Sequence, residues 1–261
     1  MDRITTLFAN KRKHILNIYF TAGYPKLDST KEIILSLEKA GADLIEIGMP
    51  YSDPLADGPT IQESGQVALK NGMTLEILFQ QIEETRKHTG IPLIMMGYFN
   101  QVMQYGEEAF LKKCAEVGVD GLILPDMPMD VYETQYKSLF EKYDLKIIFL
   151  ITPQTSEERI RQVDGLSTGF IYMVSNSSIT GAKSGISEGQ LAYFERINQM
   201  KLVNPRLIGF GISDNETFET ACQYAHGAII GSAFIKALAK AENIKETVTE
   251  FVGGIRNVKV S

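Results

Sequence analysis

The sequence predicts an α/β fold, a single (β/α)8 TIM barrel that takes in residues 1–261 as one domain. Three observations favour this fold. Short apolar runs alternate strictly with segments of helical period, which indicates βαβ units rather than hairpins. The runs are apolar at nearly every position, as in parallel strands covered on both faces. Eight such units in 261 residues match the usual size of a closed barrel.

Each element can be placed along the chain. The predicted strands are 15–20, 44–47, 93–96, 121–124, 146–151, 169–174, 207–211 and 227–230. The predicted helices are 29–39, 75–87, 107–117, 131–142, 157–163, 188–200, 216–223 and 244–252, with an extra helix at the N-terminus and a short one after strand 8, at 233–239. A doubly wound sheet would also alternate, but no Gly-x-Gly-x-x-Gly turn follows the first strand.

Three positions match helix N-caps. They are Thr155, Ser187 and Asp214, and Glu158 is spaced to form a capping box with Thr155.

Composition narrows the class of protein. The net charge of −6 and the scattered lysines and arginines disfavour a nucleic-acid or anionic-membrane surface. Cys114 and Cys222 lie in helical segments, and the chain has no signal-like start, which predicts reduced thiols in a cytoplasmic protein. No apolar run approaches the ~20 residues of a membrane span. His14, His88 and His226 lack metal-ligand spacing, so no metal site is expected.

An acid stands at the end of the second predicted strand, where barrel enzymes place their chemistry. Glu46 alternates with Ile45 and Ile47, so its side chain should point into the barrel mouth. Burial there would raise the pKa of the carboxyl group towards the operating pH and suit it to proton transfer in both directions. The alternative is a structural acid paired with a neighbouring cation, but no lysine or arginine occupies an identifiable inner position.

The loop after this strand carries Asp53 and Asp57 between prolines at 50, 54 and 59. Proline restricts the backbone, so a side chain in such a loop is held near one geometry. In isolation, DPLADGP would indicate a turn with Asx hydrogen bonds. Its position beside Glu46 favours a role in the site.

Two glycine-bearing loops fit a phosphate site. GFGIS at 209–213 follows strand 7, and Gly231-Ser232 follows strand 8 and precedes the short extra helix. Barrels often bind phosphate there, through backbone N–H groups. Each motif alone could be an ordinary tight turn. The polar loop 175–187 after strand 6 is either a mobile lid or a merely disordered surface loop.

Residue types that are missing narrow the mechanism. No lysine ends an inner strand, which disfavours a Schiff-base aldolase, and no metal cluster appears. Acid–base chemistry by carboxylates on a phosphorylated substrate remains.

The run EIGMPYSDPLADGPTIQ at 46–62 resembles the signature of the tryptophan synthase alpha subunit family. The resemblance extends along the chain through TAGYP, VGVDGLILPDMP, SITG, GFGIS and IIGSAFIK. It implies a lyase that reversibly cleaves indole-3-glycerol phosphate to indole and glyceraldehyde 3-phosphate in L-tryptophan biosynthesis. The chain departs from the family pattern in one loop. Relatives often have Ser-Arg-x-Gly-Val-Thr-Gly where this chain has SNSSITG at 175–181. The change affects the expected motion of the lid and its communication with a partner subunit.

The resemblance also implies roles for particular residues. Glu46 would shuttle protons, and Asp57 would accept a hydrogen bond from the indole N–H. The implied substrate-binding residues are Tyr19, Tyr172, Thr180, Gly181, Gly211, Gly231 and Ser232, of which Tyr19 replaces a phenylalanine found in some relatives. The residues implied to face a partner are Asp53, Pro54, Asn100 and Pro128.

The implied partner is the beta subunit, which carries pyridoxal phosphate, in an α2β2 heterotetramer. No cofactor is implied for this chain. Two other functions stay open: a free-standing lyase that releases indole, and an inactive barrel retained as a binding partner. Retention of both acids argues against the inactive barrel.

Overall fold

The computed structural model describes residues 2–54, 57–174, 186–209 and 211–258. Eight parallel strands pair in chain order and close into a barrel. They are β1 Ile15–Thr21, β2 Leu44–Gly48, β3 Leu93–Met96, β4 Gly121–Ile123, β5 Lys146–Ile151, β6 Ile171–Val174, β7 Arg206–Gly209 and β8 Gly227–Ile230. Within those residues, no helix has the length and apolarity needed to cross a membrane. The predicted (β/α)8 barrel is thus confirmed.

Helices surround the strands. They are α1 Arg3–Asn10, α2 Ser29–Ala40, α3 Pro59–Lys70, α4 Leu75–Arg86, α5 Phe99–Tyr105, α6 Glu107–Val117, α7 Met129–Val131, α8 Lys137–Lys142, α9 Glu157–Leu166, α10 Glu188–Gln199, α11 Asn215–Tyr224, α12 Ser232–Leu238 and α13 Ile244–Arg256. The extra N-terminal helix is α1, and the short helix after strand 8 is α12, which begins one residue earlier than predicted.

Sequence patterns missed two helices. Helix α3 begins with Pro59 at its first turn but has few large apolar residues, so its helical period is weak. Helix α5 spans only 7 residues. The predicted helix 131–142 is also divided, because a π-helical turn at Tyr132–Tyr136 separates α7 from α8.

One predicted cap was wrong by one residue. The N-cap of α9 is Ser156, whose hydroxyl accepts from Arg159 N over 3.2 Å. Thr155 instead accepts from Thr152 N over 2.9 Å, within the preceding turn. The predicted caps Ser187 and Asp214 are confirmed, and each forms a capping box, with Gln190 and Thr217 respectively.

Two apolar layers hold the barrel together. The interior is filled by one buried side chain from each of several strands, among them Ile15, Leu44, Ile94, Ile148, Leu207 and Ile229. A second, larger cluster packs the outer strand faces, such as Ile45 and Ile47, against the helices. Because side chains alternate along a strand, Leu44 and Glu46 both face inwards.

Helix α1 closes the N-terminal end of the barrel. Ile4 from this helix is buried against the interior cluster. Arg3 donates to Asp120 Oδ1 over 2.9 Å, and Arg86 donates to Asp120 Oδ2 over 2.6 Å. The same carboxylate accepts from Leu93 N over 2.8 Å. This end is therefore occupied by structural contacts, which leaves the opposite end for a functional site.

Candidate active site

Glu46 lies on the inner face of β2, as its position in the sequence predicts. Its residue is 0% exposed, and it pairs in register with Tyr19 on β1. Asn17 Nδ2 donates to Glu46 Oε1 over 2.5 Å. Among the described residues, Oε2 has no hydrogen-bond partner. One oxygen of the carboxyl group is thus held and the other is unsatisfied.

Burial dominates the acid–base properties of Glu46. Removal from water raises the pKa of its carboxyl group from 4.5 to about 8, and the hydrogen bond from Asn17 partly opposes this rise. No cation contributes, so the alternative of an acid paired with a lysine or arginine has no support among the described residues. At neutral pH the group therefore carries its proton and stands ready to donate it.

A cavity of about 380 Å³ opens at the C-terminal end of the barrel. Its lining includes six predicted site residues, Tyr19, Asp57, Tyr172, Gly211, Gly231 and Ser232. Ile61, Met96 and Ile229 add apolar surface. An aromatic ring system would fit such walls, and the glycine-bearing rim from β7 and β8 presents backbone at the other side. Glu46 is covered and does not reach the cavity surface.

Two glycines make room for the tyrosines of this cavity. A Cβ atom at Gly48 would stand 2.1 Å from the Tyr19 hydroxyl oxygen, and one at Gly209 would stand 2.3 Å from the Tyr172 ring. Burial raises the pKa of Tyr19 above its usual range, as do the charges of Asp57 and Glu46. Burial and the charge of Glu46 also raise the pKa of Tyr172. Both phenols therefore remain neutral.

Asp57 is held at the cavity wall from both sides of its loop. Tyr98 donates its hydroxyl proton to Asp57 Oδ2 over 3.1 Å. Gln62 of α3 donates to the carbonyl oxygens of Asp57, over 2.8 Å, and Pro54, over 3.2 Å. Burial raises the pKa of the Asp57 carboxyl group, and the Tyr98 hydrogen bond acts in the opposite direction. Contacts to α3 and to Tyr98, which precedes α5, thus add to the proline restraint.

Of the four residues predicted to face a partner, Asp53 and Pro54 lie on the loop after β2, Asn100 lies in the first turn of α5, and Pro128 lies on the loop after β4. Asp53 and Pro128 are exposed, and Pro54 and Asn100 are half-buried. Asn100 Nδ2 donates to the Tyr51 hydroxyl over 2.7 Å, and Tyr51 stacks on Tyr98 with 5.0 Å between ring centroids.

Thr180 and Gly181, predicted to bind substrate, lie outside the described residues. The rest of the predicted loop 175–187 is described only at its end, where Ile186 and Ser187 lead into α10. Within the described part of the chain, no three His, Cys, Asp or Glu side chains are grouped as metal ligands. Cys114 and Cys222 are both free and buried.

Sequence reasoning missed two contacts to the acids. It gave Tyr98 no role, since nothing local shows that its hydroxyl reaches Asp57. It also passed over Asn17, a polar residue in the apolar run ILNIYFT. An amide at an inward position of a barrel strand was the available signal, because buried polar groups need partners.

The fold and the site define a class of protein. The parallel barrel holds a protonated, buried carboxyl group and a second acid near an aromatic-walled cavity. This arrangement is typical of barrel enzymes that work by acid–base chemistry.

Comparisons with known proteins define the family. A model of the family described as Tryptophan synthase alpha chain matches residues 6–260. The chain is 60% identical over 256 residues to a tryptophan synthase alpha chain of Flavobacterium johnsoniae, covering 98% of this chain and 100% of the relative. It is 57% identical over 260 residues to one of Christiangramia forsetii, covering 99% of each.

Solved structures agree. The tryptophan synthase subunit alpha of Legionella pneumophila superposes with a TM-score of 0.89 at 30% identity, covering 98% of both chains. A chain of the tryptophan synthase complex from Pyrococcus furiosus gives 0.86 at 32% identity, covering 95% of this chain and 100% of that one. This chain belongs to the tryptophan synthase alpha chain family. It is an enzyme subunit, as the sequence predicts.

Proposed function

We propose that this chain is a lyase of L-tryptophan biosynthesis that cleaves indole-3-glycerol phosphate to indole and glyceraldehyde 3-phosphate. One observation carries the proposal: a fully buried Glu46 with a pKa raised to about 8 stands in the same barrel mouth as Asp57. An acid that is protonated at neutral pH and a second, more exposed acid are the two groups that this retro-aldol cleavage requires.

The chemistry divides between the two acids. Glu46 donates its proton to indole C3, which places positive charge on the ring nitrogen. Asp57 accepts a hydrogen bond from the indole N–H and stabilises that charge. The Glu46 carboxylate then removes the proton from the hydroxyl group on the side-chain carbon attached to C3. The C–C bond breaks, its electron pair returns to the indole ring, and the aldehyde forms with Glu46 protonated again.

Substrate binding follows from the cavity lining. Tyr19 and Tyr172 would pack against the indole ring, and the backbone N–H groups of Gly211, Gly231 and Ser232 would bind the phosphate. Because Glu46 is covered in this structure, its carboxyl group or the Tyr19 ring must turn before a proton can reach C3. The proposal also assigns Gly181 to the phosphate and Thr180 to a contact with Asp57 on lid closure.

The proposed partner is a tryptophan synthase beta chain that carries pyridoxal phosphate and joins the released indole to serine, in an α2β2 assembly. No cofactor is proposed for this chain, and we place it in the cytoplasm. The partner surface is supported by the positions of four residues in the connections that follow the consecutive strands β2, β3 and β4, namely Asp53, Pro54, Asn100 and Pro128. The complex from Pyrococcus furiosus, at 32% identity, supports the assembly.

Indole release from indole-3-glycerol phosphate, measured with and without a beta chain, tests the proposal. Glu46→Gln should abolish turnover and leave the substrate dissociation constant near that of the unmodified chain. Glu63→Gln, which changes an exposed acid on α3, is the matched control and should keep full activity. Absence of cleavage by the unmodified chain with a beta chain would favour the inactive barrel. Equal loss of binding and turnover in Glu46→Gln would indicate a structural acid.

A further inference from the structure

A polar side chain stands inside the barrel beneath the catalytic site. Asn17 is 0% exposed and lies on the inner face of β1, two residues before Tyr19. Its strand neighbours in register are Leu44 on β2 and Ile229 on β8, both part of the apolar interior. A buried amide in such surroundings costs stability unless it is hydrogen-bonded. The position therefore calls for a reason beyond packing.

Within the described residues, the Asn17 side chain makes one hydrogen bond, to Glu46, and its Oδ1 has no partner. Nδ2 donates to Oε1 over 2.5 Å, between residues that are both fully buried. The other carboxyl oxygen, Oε2, has no partner in the described part of the chain. Asn17 lies opposite Leu44 and Glu46 lies opposite Tyr19, so the hydrogen bond joins diagonal neighbours of the β1–β2 pair and depends on the strand register. The two oxygens of Glu46 are thereby made unequal.

We propose that Asn17 is a positioning residue for Glu46, which holds Oε1 in place and leaves Oε2 to carry the proton that is transferred to and from the substrate. This inference rests on the proposed function. Asn17 does not line the cavity, so it acts through Glu46 and not by touching the substrate. Fixing one oxygen restricts rotation of the carboxyl group, and small errors in the position of a proton donor are costly in rate.

The titration of Glu46 can be distinguished from that of the groups around it. The titratable side chains that interact with its charge are Tyr19 on β1 and Tyr172 on β6. Both have pKa values raised above their usual range, so neither titrates near pH 8. On β3 the residue opposite Glu46 is Ile94. A change of protonation near pH 8 therefore belongs to Glu46.

The sign of the effect follows from the donor. An N–H group bonded to a carboxylate favours the charged form, so Asn17 lowers the pKa of Glu46 against the effect of burial. Cleavage begins with protonated Glu46, and activity is lost as pH rises through its pKa. Without Asn17 the pKa rises further, and the alkaline limb of the pH–rate profile moves to higher pH.

The test is Asn17→Leu, which keeps the volume of the side chain and removes the donor. In the full chain, kcat for indole release should fall about tenfold with KM little changed, and the alkaline limb should move up by about half to one pH unit. Ile148→Val is the matched control, since it trims a buried interior residue on β5, a strand that pairs with β4 and β6 and not with β1 or β2. This variant should leave the alkaline limb of the pH–rate profile unchanged.

A direct titration covers the case in which Asn17→Leu does not fold. In the unmodified protein, NMR of the Glu46 carboxyl carbon and of the Asn17 side-chain amide should give one shared midpoint near pH 8, and Asn17→Val should raise the carboxyl midpoint. The inference would be overturned if the Glu46 carboxyl carbon and the Asn17 amide titrated with separate midpoints. It would also be overturned if Asn17→Leu left the alkaline limb unshifted and lost no more kcat than Ile148→Val. Correct titration without any cleavage would refute the proposed function instead.

Discussion

The Tyr98 hydroxyl donates a hydrogen bond to Asp57 Oδ2 over 3.1 Å and so joins the start of α5 to the loop after β2. Tyr51 stacks on Tyr98, and the hydroxyl of Tyr51 accepts from Asn100 over 2.7 Å. These contacts form a continuous path from the cavity wall to the surface proposed to face the beta chain. The position of Asp57 therefore depends on neighbouring loops as well as its own.

Replacing Tyr98 with phenylalanine should change the acid limb of the pH–rate profile. Burial already raises the pKa of Asp57, and loss of the hydroxyl donor raises it further. Asp57 must be ionised to stabilise the indole cation, so the acid limb of kcat/KM should move to higher pH, with the largest loss at the acid end of the profile. Tyr51→Phe removes the hydroxyl of the next ring and should leave this limb unchanged. Identical profiles for the two variants would contradict the prediction.

Alanine at position 48 should disable the site without unfolding the barrel. The added methyl group would stand 2.1 Å from the Tyr19 hydroxyl oxygen, so the ring must move into the cavity. We expect at least a tenfold rise in KM for indole-3-glycerol phosphate. Gly65→Ala is the control, because a Cβ atom there meets nothing within 4 Å. If both variants keep the KM of the unmodified chain, Tyr19 does not form the wall of the substrate site.

The buried Glu46 should make the protein less stable as pH rises. Its pKa is about 8 in the folded protein and near 4.5 when exposed to water, so between these values the unfolded chain releases a proton that the folded chain keeps. The contribution of Glu46 to the free energy of unfolding should therefore fall from about pH 4.5 to pH 8 and then level off.

Glu46→Gln removes this dependence. The free energy of unfolding of Glu46→Gln, relative to that of the unmodified chain, should increase by on the order of a few kcal/mol between pH 5 and pH 8. Urea unfolding at a series of pH values measures the difference. Glu63→Gln should follow the curve of the unmodified chain, and a constant offset for Glu46→Gln across the range would show that the carboxyl group titrates normally.

Asp120→Asn should destabilise the closed end of the barrel. The Asp120 carboxylate is buried and accepts from Arg86, whose side chain is 9% exposed, and from Leu93 N. Loss of its charge leaves the Arg86 cation without its partner, at a cost of roughly 3 kcal/mol. Denaturant unfolding measures the loss, and the indole-release rate of the folded variant should stay unchanged. Glu116→Gln, which breaks an exposed pair with Lys112, should cost under about 0.5 kcal/mol.

Much of the fold could be predicted from local sequence patterns, and the predictions that failed did so for local reasons. Strand β5 was predicted with its observed bounds because Lys146 is followed by the continuous apolar run IIFLI. Helix α3 was missed because its sequence, PTIQESGQVALK, carries few large apolar residues and depends on packing against the barrel. The cap at Ser156 was displaced because Thr155 and Ser156 are both good capping residues, and only the backbone decides between them.

Local sequence patterns were sufficient to predict the order of the eight strands, the inward direction of Glu46 and the placement of Asp57 in a restrained loop, since each follows from period, spacing and proline content. Tertiary structure alone decided that Glu46 is sealed beneath the cavity, that Asn17 holds one of its oxygens and that Tyr98 reaches Asp57. Those contacts join residues 29 and 41 positions apart. Closure of the barrel creates them, because it fixes the register that brings distant strands side by side.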